Sequence, residues 1–501
     1  MGLIRSFSFL SIFLLCSSFA SGNDQYYWRI GLTGIYSSYP EKICSQHAKQ
    51  WVSNLPVGHS GEITRSYYTS DRNYKVMCNH SSFNGTYETL CASCNRRKCP
   101  SNFVFDYGLK RCEVKQPKKN TGSGDCSQPE TTKSTGNPIR VSTGNKYQVE
   151  TDITGVIPFT RYYNSELKGW SHQYQYQIQQ PQNNPSLIYL IRPDGKVLSA
   201  KLDNEEWKTD SDVFLAVTRT DQTPAGWLIK KGKQQEFYDS QGRLISLEKA
   251  NGEVLTSEWV DKQQVIKDTK GNQLTITYDD AHFLSSVKLN NRDAITYTYD
   301  KLFLLTQVTY KTGKTRQYHY ENEAFPYHLT GIIDENGVRF ATWTYDDQGR
   351  ATSSEHAGGK EKVTLAFHDN NSTTVTNPLG KKTTYHFQSF NGVNKVVKVE
   401  GHQSANCAAA NKEYTYYPTG LLKTKTDWKG NTTEYKYNDQ GLQIEKTEAV
   451  GTPQARTITT EWDVEKRLPL KSSDGKLETL YQYDEQGKLA NKKQVSQQPA
   501  K

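Results

Sequence analysis

Methionine is nearly absent from this chain, with 2 in 501 residues, and hydrophobic residues of all kinds reach only 35%. A helix bundle or a single large aliphatic core draws on more of both, so neither is expected. Long apolar runs are missing as well. Beyond the first 20 residues nothing supplies the roughly 18 apolar residues that a membrane-spanning helix needs. Charge of one sign is not in great excess: 62 basic against 53 acidic side chains leave a net +9, too mild over this length to imply nucleic acid. The chain carries no Gly-x-Ser-x-Gly elbow, no phosphate-binding Gly-x4-Gly-Lys-Ser/Thr and no His-Glu-x-x-His. No catalytic, cofactor-binding or metal-ligating residues are therefore assigned, and the chain is not expected to be an enzyme.

Aromatics and glycine are plentiful. With 32 Tyr, 17 Phe, 9 Trp and 35 Gly, the composition points to many short strands separated by turns. The expected fold class is mostly β. The first 22 residues read as a secretory signal peptide: Arg5, an apolar run from Phe7 to Phe19, then the small residues Ser18 and Ala20. Cys16 follows Leu15, where a lipoprotein needs a small residue, so a lipid anchor at Cys16 is the lesser reading. The protein is expected to be exported to the periplasm, the cell surface or the extracellular space.

Residues 23–116 form a cysteine-rich segment, and 117–136 a polar linker. Cys44, Cys78, Cys91, Cys94, Cys99, Cys112 and Cys126 crowd into this part, whereas Cys407 stands alone. In an exported chain they are expected to form disulfides. A zinc site at Cys91, Cys94, Cys99 and Cys112 is less favoured, because no His stands at ligand spacing within that block. Pairing is open, and Cys407 either joins Cys126 or stays free. This segment carries 14 Lys/Arg against 8 Asp/Glu between Asp24 and Asp125, including Arg96, Arg97 and Lys98, a cluster that reads best as a solvated loop.

The strongest signal is a repeat. An aromatic followed by Asp or a near variant recurs at Tyr238, Trp259, Tyr278, Tyr299, Tyr320, Tyr345, Phe367, Phe387, Tyr416, Tyr437, Trp462 and Tyr483, in steps of 19 to 29 that centre on 21. Glycine follows the anchor by four residues at Gly242, Gly349, Gly420, Gly441 and Gly487. A second glycine precedes the next anchor by seven or eight, as at Gly271, Gly337 and Gly430. Two glycine turns per repeat leave two segments of strand length. Those segments alternate apolar and polar, as in Gln273–Tyr278, so one face packs and the other is wet. The units are expected to pair into one continuous antiparallel sheet over about twelve repeats, residues 229–490, with a polar tail at 491–501. Asp after the aromatic is read as a turn residue bonding nearby backbone N–H groups, not as an acid–base or calcium site.

The segments Tyr238-Asp-Ser-Gln-Gly-Arg-Leu244, Tyr345-Asp-Asp-Gln-Gly-Arg350 and Tyr483-Asp-Glu-Gln-Gly-Lys-Leu489 resemble the YD repeats of Rhs proteins. Upstream, Asn137-Pro-Ile-Arg-Val-Ser-Thr-Gly-Asn145, Glu150-Thr-Asp152, Thr160-Arg-Tyr-Tyr163 and Gly169-Trp-Ser-His-Gln-Tyr174 resemble the domain that opens the Rhs repeat region, here 137–228. The resemblance implies a sheet wound into a hollow shell around a C-terminal toxin that is delivered to competing cells. The chain departs from that pattern in having no Asp-Pro dipeptide, which the closing self-cleavage motif contains, and only 18 residues after Tyr483, too few for a toxin.

The resulting expectation is a non-enzymatic partial shell or scaffold of a toxin-delivery system, or a truncated Rhs toxin. It would self-associate or take a C-terminal Rhs partner chain through residues 460–490. The alternative is a secreted carbohydrate- or cell-surface-binding repeat protein, with aromatic rows stacking on sugar rings. Residues 137–227 are expected to cover the first edge of the sheet, since an open strand edge invites aggregation.

Overall fold

The computed structural model describes the side chains of residues 117–122 and 133–496, apart from 168, 182–183, 222–224, 281–282, 301, 303, 403–410 and 486. Before residue 117 it describes only the backbone of six strands. Four of these, Trp28–Ile30, Ser60–Tyr68, Asn73–Ser82 and Gly85–Arg96, form one antiparallel sheet, and Phe103–Asp106 with Arg111–Val114 form a hairpin. The side chains of all seven cysteines and of Cys407 lie outside the described residues, and with them the expected disulfides.

From Gln177 to Ser496 the chain builds one 30-stranded antiparallel sheet in which every strand pairs with its neighbours in sequence. Alternation explains its two faces. In Gln273–Tyr278, Leu274, Ile276 and Tyr278 are buried, whereas Gln273, Thr275 and Thr277 face out. Threonine suits that wet face, because its β-branched stem favours the strand while its hydroxyl meets water. Among the described residues no helix is long and apolar enough to cross a membrane.

Where a repeat carries glycine turns at both ends, the two are one device used twice. After Tyr238, the Asp239 carboxylate accepts the backbone N–H of Gln241 at 3.0 Å and of Arg243 at 2.8 Å, and Gly242 N–H bonds back to the Asp239 carbonyl. At the opposite end of the strands Asp268 does the same for Lys270 and Asn272, ahead of Gly271. The glycine must turn left-handed, with φ of +76° at Gly242 and +85° at Gly271, which costs a Cβ-bearing residue about 1–2 kcal/mol.

The anchor-side turns also carry a bulge. Phe237 pairs with Ser246 but Tyr238 with Leu244, so one residue of the second strand has no partner. The same slip falls at Tyr278, Tyr299, Tyr345, Phe387, Tyr416, Tyr437, Trp462 and Tyr483. Trp259 and Phe367 lack it. A bulge bends its strand and increases right-handed twist, and repeated along one margin it makes the sheet coil.

The coil passes its own beginning. Gly441 packs on the Phe214 ring, Gly232 lies against the Glu465 carbonyl, and Asn391 Nδ2 donates to Ser211 Oγ at 3.0 Å. Each of these joins places about twenty strands apart in the sheet order. The first strand, Gln177–Gln179, has its outer edge met by the Gly242 turn, where Ile178 N–H donates to Gly242 O at 2.8 Å.

This corrects the expectation of an edge cover at 137–227. Residues from Gln177 onward are strands of the sheet itself. The three short strands β1 (Tyr147–Ile153), β2 (Phe159–Asn164) and β3 (Gly169–His172) form a separate small sheet whose side chains reach the inner face of the large one. They act as a plug. The physical reason is burial: Phe159 and Tyr163 are fully buried in the core cluster shared with the large sheet, and Trp170 packs against it.

The glycine positions give a test. A Cβ at Gly242 would overlap the Ile178 carbonyl, whereas one at Gly271 meets nothing. In denaturant titrations Gly271→Ala should lose about 1–2 kcal/mol, the left-handed backbone cost alone. Gly242→Ala should lose clearly more, and equal losses would mean that the Gly242 turn is not a structural joint.

Candidate functional site

The plug holds a buried polar centre. Asp152 on β1 and Arg161 on β2 are both shielded from water, with Arg161 Nη2 donating to Asp152 Oδ1 at 2.9 Å. Tyrosines from the wall complete the pair: Arg161 Nη2 donates to Tyr318 Oη at 2.8 Å, and Tyr297 Oη donates to Asp152 Oδ2 at 2.8 Å. The guanidinium also lies over the Trp170 ring, 4.6 Å from its centre. Burial works against the Arg161 charge, but Asp152 beside it prevails and holds the pKa well above its ordinary value. Removing one partner of such a pair costs about 3–5 kcal/mol, because the other charge is left buried.

Two further polar ties hold plug to wall. Tyr163 Oη accepts from Leu329 N–H at 2.9 Å and donates to the Tyr327 carbonyl at 3.0 Å. Lys146 is fully buried; its ammonium donates to the carbonyls of Asn137 and Tyr147 and to Gln148 Oε1, and sits 4.0 Å above the Trp343 ring. Burial drives its pKa well below the ordinary lysine value, and Glu150 opposes this only in part. Most of these groups satisfy one another, although Arg161 Nη1 is buried without a hydrogen-bond partner among the described residues. That arrangement suits cohesion.

Trp170 and His172 belong to this packing. The His172 ring accepts Tyr174 N–H on Nδ1 at 3.3 Å, so its proton sits on Nε2, 2.8 Å from Tyr278 Oη. Tyr278 passes a hydrogen bond on to Gln264 Oε1 at 3.3 Å. Burial lowers the His172 pKa to about 3. Of the anchors, Tyr238, Tyr278 and Phe387 are buried, whereas Tyr299, Tyr320, Tyr345, Phe367, Tyr416, Tyr437, Trp462 and Tyr483 are half-buried. Trp259 is 40% exposed and stacks on Tyr278. Among the described residues no group of three His, Cys, Asp or Glu side chains is placed to hold a metal.

Two open features remain, and neither was legible as a motif. The first is a cleft of about 960 Å³ where the late turns meet the early strands. Trp207, Phe214, Lys230 and Lys233 line one wall, and Asp439, Glu465 and Glu485 the other. The second is the end of the sheet. Leu470 and Leu489 are exposed there, as is every residue of the last strand, Leu489–Ser496. Among the described residues that strand has one paired edge only.

Residues 136–199 match the family model of a domain of unknown function, DUF6531, and residues 235–360 match that of the Teneurin YD-shell. No curated protein matches the chain. Solved structures similar to it include TcdB2-TccC3-Cdc42, at 8% identity and a TM-score of 0.28 over 87% of this chain and 28% of that one. TcdB2-TccC3 gives 10% identity and 0.28 over 88% and 26%, and the Photorhabdus luminescens Tc holotoxin pore 12% and 0.26 over 69% and 23%. The chain thus spans about a quarter of the length of these solved chains.

The buried histidine sets a pH dependence. A His pKa lowered from 6.5 to about 3 contributes stability that is complete above the unfolded value and is lost as pH falls from 6.5 toward 3. Unfolding free energy should therefore decline across that window, with up to about 5 kcal/mol from this one group. The difference between the wild type and His172→Gln should shrink as pH falls; a constant difference would mean that folding does not depress the His172 pKa.

Proposed function

We propose that this chain, a YD-repeat protein of the Rhs type, is a non-enzymatic wall: a partial shell or scaffold in a toxin-delivery system, exported and used in competition between cells. The observation that supports this reading is the sheet's uneven interior. From Gln177 to about Leu422 the inner face is buried against the plug and against itself, whereas from Thr432 onward few side chains are buried and the last strand is exposed throughout. A wall finished on one side and bare on the other is suited to a further chain. We infer that a second copy or a C-terminal Rhs partner covers residues 460–490, and that the cysteine-rich segment is held by disulfides after export.

Sedimentation velocity over a range of concentrations tests the wall. Self-association is the expected result, weakened by Leu470→Lys with Leu489→Lys. A strict monomer at high concentration, with slowly exchanging amides throughout 460–490, would count against it, unless the partner chain is shown to bind there. Intact mass should fall by about two hydrogens per disulfide.

A second reading, secreted carbohydrate or cell-surface binding, draws on the cleft. A half-buried Trp207 beside carboxylates and lysines is the chemistry that stacks on and hydrogen-bonds to sugars. Glycan-array binding by the whole chain that disappears in Trp207→Ala would favour it over the wall.

A further inference from the structure

The two margins of the coiled sheet differ in what surrounds them. On the anchor margin, a Cβ added at Gly242, Gly349, Gly420 or Gly441 would meet Ile178, Phe325, Lys395 or Phe214. On the opposite margin, the same test at Gly271, Gly313, Gly337, Gly380, Gly430, Gly451 and Gly475 meets nothing within 4 Å. The contrast is not uniform: Gly392 on the anchor margin meets nothing, and Gly195 and Gly232 on the opposite one meet Leu167 and the Glu465 carbonyl. From Gly252 onward the described turns of the opposite margin form a free rim.

Turn tips facing water are ordinarily polar. This rim carries Val338, Leu379, Trp428 and Val450 at its tips, all exposed, with Leu379 at 83% and Trp428 at 43%. Cations flank them. Leu379 is followed by Gly380, Lys381 and Lys382, Trp428 by Lys429, and the Lys412 ammonium stands 5.0 Å over the Trp428 ring. Of the carboxylates in these turns, Asp334 accepts the N–H groups of Asn336 and Val338, Asp427 those of Lys429 and Asn431, and Glu335 pairs with Arg316. Hairpins follow one another every ~10 Å along a sheet, which places the Leu379 and Trp428 tips roughly 20 Å apart on one edge.

Scattered exposed apolar side chains need no explanation. A leucine and a tryptophan at the tips of one free margin, each with lysines beside it, match a more particular environment. Tryptophan prefers the boundary between headgroups and acyl chains, leucine enters it, and lysine near the surface gains about 1 kcal/mol from anionic lipid. We propose that the free rim is a peripheral docking edge for an anionic bilayer, with Leu379 and Trp428 entering the interfacial layer and Lys381, Lys382 and Lys429 meeting the headgroups.

Cosedimentation of the full chain with phosphatidylcholine vesicles, with and without phosphatidylglycerol, tests this. Binding should require phosphatidylglycerol. It should weaken about tenfold or more both in Leu379→Ser with Trp428→Ser and in Lys381→Gln with Lys382→Gln and Lys429→Gln. Because Leu379, Lys381, Lys382, Trp428 and Lys429 are all exposed, thermal unfolding of both variants should match the wild type, which separates lost binding from lost folding. Lys423→Gln with Lys436→Gln, exposed on the anchor margin, should bind as the wild type does. No binding to anionic vesicles would overturn the proposal. So would binding that survives the apolar double substitution, or that falls equally in the Lys423 and Lys436 variant.

Discussion

One carboxylate or amide oxygen accepting two backbone N–H groups is the constraint from which the rest of this structure follows. Asp239, Asp268, Asp300, Asp334, Asn377, Asp427 and Asn438 each take the amide of the residue two ahead and of the residue four ahead. A turn closed in this way has one length. Fixed turn length fixes register, and in a strand a slip of one residue would send every buried side chain into water. The alternation of Leu274, Ile276 and Tyr278 against Gln273, Thr275 and Thr277 is therefore set at the turns on either side.

Tyrosine explains how so little aliphatic content suffices. A concave wall packed on a polar plug must offer large apolar faces and still satisfy buried donors and acceptors. Tyr163, Tyr297, Tyr318 and Tyr320 do both, burying their rings while their hydroxyls reach a carbonyl, a carboxylate, a guanidinium and an indole N–H of or near the plug. Leucine at these places would leave the Trp170 indole without its acceptor and Asp152 without its Tyr297 donor.

Much of the sheet was legible because its determinants are local. The aromatic–Asp period, the paired glycines and the alternation all act within one hairpin, and the strands lie where they point. Trp259 and Phe367 kept the period without the bulge, and nothing in their spacing distinguishes them from the bulged anchors. The plug was not legible as a plug. Its partners lie far along the chain, with 157 residues between Arg161 and Tyr318 and 164 between Tyr163 and Tyr327, and no periodicity records contacts at that range. The strands from Gln177 to Lys231 lack the anchor pattern, which is why they looked like a separate cover. The free rim and the cleft depend on how the coil meets itself, a property of the whole winding.

The strictly sequential strand order also has a consequence for synthesis. Each hairpin can zip onto the previous one as it emerges, with loop closures of a few residues and little entropic cost. The plug cannot. It leaves the ribosome first, and Arg161 and Asp152 must remain in water until the wall around Tyr297 and Tyr318 has been made. At about 5–20 residues per second that interval is roughly 10–30 s. The growing sheet then has its interior filled from the start of the chain, so the nascent inner face closes on a core already present.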